Sequence, residues 1–578
     1  MLIPSHPRWG RAIGTFTTPA HRNRLTLSVD LELTGLQAME QISRLAADGH
    51  LPAQIEIEIG ICTLESALLL ALDPMTIRHL ANPPVISGCV RLMKTVIDQR
   101  QGTVSPFSYE YGFLCFNLLV LCLNICLLER WNQLDQPLEM GCLTPYAAAH
   151  VWTSIEVSYA VIDQFNLLKD GWDCDVDWVL GWSTSGGYPR QTLLLPQSDI
   201  ASILRMLWDD RKLFLKFLTL HTLDVPGLSG LLFLFSRYVT QTHDSEQDRD
   251  GDILKTSLYE LALRYHLVAD AYQGEVNMKV IYANIVDYDT WAQTPKHIDG
   301  EDSSLIMTAF IKQVDNYDES DISLLVRNGP TVLAQLIPFA IDAHSHDLLP
   351  EVLRCSIKSG WLWLLGMEDY SDSETLIKML FPTLVWLIRP RRDQLTRLPL
   401  STQMKIVDVL HDGDLINLSA CAIVRLSPAK TESESFTAQI IANFFQILTE
   451  ALPRDELRRR FWDFAPDWSR FYEHIIIVGR GIPTVPSPRH QEHYRACINA
   501  WAQIASSLDI LNAPYFEGVS ECFSGRCPSA HLNNTAIFGC AGCAVTVYCD
   551  DRCQSMGWIF GHLNPPHRQL CRTNTKQY

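Results

Sequence analysis

Seven cysteines and one histidine stand in four pairs near the end of this 578-residue chain. Cys522 and Cys527 enclose four residues, Cys540 and Cys543 two, Cys549 and Cys553 three, and His567 and Cys571 three. Thiolate and imidazole are ligands that tetrahedral zinc prefers, and eight of them complete two four-coordinate sites. Sites closed in this way keep no position for a reactive water, so the expected chemistry is structural and not catalytic. So small a segment buries too little apolar area to hold itself, and each structural zinc adds on the order of 10 kcal/mol to its folding.

Each pair needs an element that turns it toward a metal. Cys540 and Cys543 frame the dipeptide Ala541-Gly542, a short knuckle in which Gly542 lets backbone approach closely. Ala544 to Tyr548 (AVTVY) alternates as a short strand. Asp550 and Asp551 open a helix that carries Cys549 and Cys553 one turn apart at its start and runs on from Gln554 to Phe560. Pro565 and Pro566 break the chain before His567. Tyr548 and Trp558 have two readings, filling the small core between two metals or touching a peptide.

The run CAGCAVTVYCDDRCQ, followed by Trp558 and by HRQLC, resembles the MYND zinc finger over about residues 519–571. The resemblance implies that the first and third pairs share one zinc and the second and fourth share the other. Carried over, Cys522, Cys527, Cys549 and Cys553 hold the first ion, and Cys540, Cys543, His567 and Cys571 the second. It also implies a non-enzymatic adaptor that binds proline-containing peptides of partner proteins, with Gln554 and Trp558 near the groove. Three features depart from the family pattern. The first pair is wider than usual, the loop before His567 is longer and holds a competing His562, and Gly557 stands where an acid is common. More loosely, the rest of the chain resembles the long N-terminal regions of fungal MYND proteins.

Other chemistries fit less well. A redox role for Cys540 and Cys543 needs a βαβ setting with a helix starting at the first cysteine. The segment IDAHSHDL, with His344 and His346, looks like the metal-gripping first strand of an amidohydrolase barrel. Such a barrel needs further ligands at later strand ends, whereas the surrounding pattern is helical, so a helix end and a turn are expected there. Gly181 to Gly187 (GWSTSGG) has the wrong spacing for a nucleophile elbow. The SET-type methyltransferases that carry a MYND finger are disfavoured, because no Asn-His-Ser-Cys-type run or matching cofactor loop is seen. An enzyme with an unrecognised site in the body is the alternative to the adaptor reading.

The elements that must carry this C-terminus are helical. Apolar spacing of helical period runs through Leu31–Ala46, Ile86–Ile97, Ala147–Phe165, Ile200–Leu218, Leu228–Val239, Ile253–Leu267, Ile322–Ile341, Leu349–Leu365, Glu374–Leu387, Phe436–Leu452 and His490–Leu511. The fold expected is mostly α: a large helical body over 30–510, either a degenerate armadillo- or HEAT-like solenoid or a compact irregular bundle, with a small two-zinc finger. Residues 1–29, rich in Arg, Pro and Gly, read as a flexible tail. Asp170–Asp199 reads as an insertion or long loop, His243–Asp252 as an acidic loop, and Gly479–Arg489 as the lead-in to a last helix that docks the finger.

Bulk composition narrows the partners. Hydrophobic residues make up 47% and charged residues 19%, which is globular and not disordered. A net charge of −18 without a Lys/Arg run argues against nucleic acid, whose phosphates need a basic stripe. Tyr111 to Leu128 holds eighteen uncharged residues, the lower edge of a bilayer span. With Asn117 and Asn124 seven apart on one face and no basic flank, a buried core helix is expected instead of a membrane span. The cysteines scattered upstream in apolar runs suit a reducing, intracellular setting, nucleus or cytoplasm.

Overall fold

The structure is a computed structural model, and it describes residues 5–16, 26–47, 59–98, 105–143, 148–183, 191–220, 226–243, 249–286, 291, 293–315, 336–366, 373–389, 398–426, 434–481, 488–510, 522–527, 538–540, 546–560 and 565–574. The described chain is a large, mostly α body with the cysteine cluster at its C-terminal end. It divides into two compact units, Met1–Ile298 and Asp299–Tyr578.

In the first unit the described helices are α1 (Val29–Ala47), α2 (Ile61–Leu69), α3 (Pro83–Asp98), α4 (Glu110–Arg130), α5 (Asp135–Leu143), α6 (Ala149–Lys169), α7 (Asp173–Leu180), α8 (Gln197–Asp209), α9 (Arg211–Leu220), α10 (Ser229–His243), α11 (Arg249–His266) and α12 (Ala271–Ala283). The apolar run flagged in the sequence is α4, and every residue from Glu110 to Leu128 is buried. It is long and apolar enough to cross a membrane, yet α2, α3, α6 and α10 pack around it as they would around a core helix. Phe113 meets Phe217 edge-on at 4.7 Å, and Phe116 meets Phe107 at 5.4 Å, so aromatic rings close one side.

A buried helix must satisfy its first N–H groups without water. Here the chain's own N-terminus does so. Glu110 N donates to Arg11 O at 2.9 Å and Tyr111 N to Trp9 O at 3.1 Å, while the Glu110 carboxylate accepts from Arg11 Nη2 at 2.6 Å. Trp9, Ala12, Ile13 and Phe16 are buried. Residues 5–16 are therefore docked, which corrects the flexible-tail expectation for that part of 1–29.

The region read as an insertion at Asp170–Asp199 contains α7. Asp177 on α7 accepts from Arg237 Nη2 of α10 at 2.8 Å and from Gln241 Nε2 at 2.7 Å, so the helix belongs to the core layer. The expected single helix over Ile200–Leu218 is two, α8 and α9, broken at Asp210. The acidic stretch expected as a loop over His243–Asp252 enters α11 at Arg249, and residues 244–248 lie outside the described ones.

In the second unit the described helices of eight or more residues are α13 (Gly300–Asp315), α14 (Leu349–Gly366), α15 (Ser373–Ile388), α16 (Leu400–Asp412), α17 (Leu415–Val424), α18 (Glu434–Ala451), α19 (Arg454–Phe461), α20 (Ala465–Gly481), α21 (Pro488–Leu508), α22 (Asp551–Ile559) and α23 (His567–Asn574). Helix α14 packs on α13, α15 and α16, and α18 lies against α15 and α21. Of the helix expected over Ile322–Ile341, residues 336–341 are described, and they hold one short helical segment, Ile337–Ala340. The His344–His346 segment is a turn. Asp342 Oδ1 accepts from His344 N at 2.7 Å and Ser345 N at 3.1 Å, and a 3-10 turn follows at His346–Leu348.

Candidate metal centre

The finger's scaffold is small. Strands β1 (Phe538–Gly539) and β2 (Val547–Tyr548) pair antiparallel, then α22 and α23 follow. Asp550 caps α22 as its sequence suggests, its carboxylate accepting from Cys553 N at 2.6 Å. That cap places Cys549 and Cys553 on either side of the first turn, facing inward.

Cys522, Cys527, Cys549 and Cys553 are buried, with their sulfur atoms all within 4.8 Å of one another. Cys527 Sγ lies 3.3 Å from Cys549 Sγ, and Cys549 Sγ 3.7 Å from Cys553 Sγ. A zinc tetrahedron with bonds of ~2.3 Å has sulfur–sulfur edges of ~3.8 Å, so this grouping fits the ion. Cys549 N also donates to Cys522 Sγ at 3.4 Å, a contact that stabilises thiolate. The crowding splits the acidities. Hydrogen bonds from Cys527, Cys549 and Cys553 push the Cys522 thiol down, while bonding with Cys522 pushes Cys527 and Cys553 up.

The second group is Cys540, His567 and Cys571, also buried and also within 4.8 Å. Cys540 Sγ and Cys571 Sγ lie 3.8 Å apart. Cys540 N donates to Thr546 O at 2.9 Å. Cys543 itself, and the competing His562, lie outside the described residues. Both groups can hold a metal ion. The partition of described ligands is the one the resemblance implied, first pair with third and second with fourth.

Tyr548 and Trp558 separate cleanly. Tyr548 is buried, and its Oη lies 2.8 Å from His567 Nδ1. Trp558 is 40% exposed and stacks on His567 at 5.7 Å and 27°. It does not fill the core between the two groups. Gly557 has a steric reason: a Cβ there would come within 2.7 Å of Tyr548 Cε1.

Two arginines, missed in the sequence, join the finger to the helical body of the second unit. Arg526, one residue before Cys527, lies between rings: its guanidinium carbon is 3.5 Å from the Phe560 centroid and 4.5 Å from that of Trp361 on α14. Arg552, one residue before Cys553, lies 3.2 Å over the Phe464 ring. It donates to Asp467 Oδ2 at 2.8 Å and pairs with Asp463 Oδ2 at 3.0 Å. Desolvated cation–ring contacts of this kind are worth about 2 kcal/mol each. Buried Asp414, whose carboxyl burial raises to about 6, feels both guanidinium charges. These partners lie on α14, α20 and the turns beside α17 and α20. No signal of spacing marks Arg526 or Arg552, because their partners lie far off in sequence.

Around its axis α22 therefore has four faces. Arg552, Met556 and Phe560 face the body, the last two through Arg526. Cys553 and Gly557 are buried inward. Gln554 and Trp558 share the third side, and Asp551, Ser555 and Ile559 the fourth, which is exposed.

No protein-family model matches this chain, and no curated protein matches it.

Proposed function

We propose that residues 519–571 are a MYND-type finger with two structural zinc ions, and that the protein is a non-enzymatic adaptor. In this reading Cys522, Cys527, Cys549 and Cys553 hold the first zinc and Cys540, Cys543, His567 and Cys571 the second. The finger presents Gln554 and Trp558 to a proline-containing peptide of a partner protein.

The observation that carries the peptide reading is the division of α22. Its docking face is spent on the body and its inner face on the cysteine cluster, leaving the adjoining sides with Trp558 and Ile559 for a partner. The indole is held against His567, so it meets a ligand without first losing rotamer freedom, while Phe523, edge-on to the same His567 at 5.9 Å, is 46% exposed. Aromatic platforms of this kind suit polyproline-type peptides, which are already extended and have little entropy to lose.

The test is a titration of the full chain with a panel of proline-rich and proline-free peptides, read by anisotropy. The expected result is selective binding that Trp558→Ala weakens about tenfold or more, as loss of an aromatic anchor does, with the metal count unchanged. Equal binding of both peptide classes, or binding indifferent to Trp558→Ala, would contradict the reading.

A further inference from the structure

We propose that the first metal site is the pin of an intramolecular latch: metal at Cys522, Cys527, Cys549 and Cys553 holds Arg526 and Arg552 in their sockets on the second unit's helical body, and its loss releases the finger from an otherwise folded body. This inference rests on the zinc reading of the same cysteines.

The sequence places each docking arginine directly before a ligand of one and the same site, Arg526 before Cys527 and Arg552 before Cys553. Neither arginine precedes a residue of the second group. The backbone around Cys527 is a tight turn, closed by Cys527 N donating to Ser524 O at 3.0 Å. Little regular structure fixes that turn, since residues 522–527 form neither helix nor strand. A metal bound by both ends of 522–527 supplies the restraint that the backbone lacks. Arg552 is likewise set by the first turn of α22, where Cys549 and Cys553 converge.

The sockets are built for charge as well as shape. Asp414, Asp463 and Asp467 stand on the body side, and Asp414 and Asp467 are buried. A buried carboxylate stripped of its cation is costly, so the docked state holds while the arginines are in register. Trp361 is oriented for Arg526 by donating its indole N–H to Gly413 O at 3.0 Å. The body carries its half of the latch on well-packed helices, α14 and α20, which do not depend on the finger for their helical hydrogen bonds. Cys421 on α17 reports on the closed state, because its sulfur faces Arg526 O at 3.9 Å.

The experiment uses the full zinc-loaded chain, with and without a strong chelator. Cys421 alkylation is followed by peptide mass spectrometry, helical content by circular dichroism, and bound metal by native mass spectrometry on the same samples. The expected result is slow labelling of Cys421 when zinc is bound and labelling about tenfold faster once metal is removed, with helical content retained, as local opening requires. Arg526→Ala and, as a second variant, Arg552→Gln should speed labelling while both metals stay bound. Cys421 protection that survives chelation, or labelling that rises only as the helical signal collapses, would overturn the latch. So would unchanged protection in both variants with two metals bound, an outcome that leaves the zinc reading standing. A chain that binds no metal at the first group would overturn both.

Discussion

Tyr548 Oη lies 2.8 Å from His567 Nδ1, a buried contact that joins β2 to the start of α23. A metal on Nε2 would keep the proton on Nδ1, from where it would donate to the tyrosine oxygen. Tyr548→Phe removes that support without removing a ligand. The expected outcome is a loss of about 10–100-fold in affinity at the second site alone, read by competition with a chromophoric chelator. Equal weakening of both sites would show that the tyrosine acts through general stability.

Gly557→Ala tests the same support from below. The added methyl meets Tyr548 Cε1 at 2.7 Å, so the ring must shift from His567. The variant should reproduce the metal-affinity profile of Tyr548→Phe, despite alanine's better helix propensity at this position. A stabilised finger with unchanged affinity would contradict the packing argument.

Asn124 on the buried α4 donates to Gly227 O at 2.9 Å, just ahead of α10. Asn124→Ala leaves that carbonyl without the amide inside the core. The first unit should lose about 1–3 kcal/mol, seen as a lower midpoint in urea unfolding. A neutral effect would mean that the asparagine is incidental to the packing of α4.

His266 gives the first unit a defined acid sensitivity. Burial lowers its imidazole to about 4, against an ordinary value near ~6.5. The folded state therefore binds fewer protons than the unfolded state between those values. Its contribution is fully present above ~6.5 and is lost as pH falls toward 4, with a slope approaching ~1.4 kcal/mol per pH unit. Unfolding midpoints of the wild type should fall between pH 7 and pH 5 more steeply than those of His266→Leu. Parallel slopes would contradict the assignment.

How much of this was legible in the sequence depends on whether a residue's partners are local. Periodicity located α1, α3, α14, α15 and α18 closely, since each buries one apolar face or more. It passed over α19, whose sequence RDELRRRF buries only Leu457 and Phe461 and shows no apolar stripe. It passed over α7 because the helix has only eight residues, lies between Gly171 and Gly181, and carries three aspartates. The ligand pairs were legible because metal chemistry restricts residue type and spacing together. Which pair meets which came from the resemblance, and the buried groups agree with it for the described ligands. Arg526, Arg552 and the docked residues 5–16 were not legible. Their partners lie on other helices, and an arginine before a cysteine carries no pattern of its own.

The most direct test of the account counts metal on the full chain by native mass spectrometry, comparing the wild type with Cys549→Ser and Cys571→Ser. Two zinc ions are expected in the wild type and one in each variant, with the retained ion at the group left intact. One ion or none in the wild type, or one substitution emptying both groups, would contradict two independent closed sites.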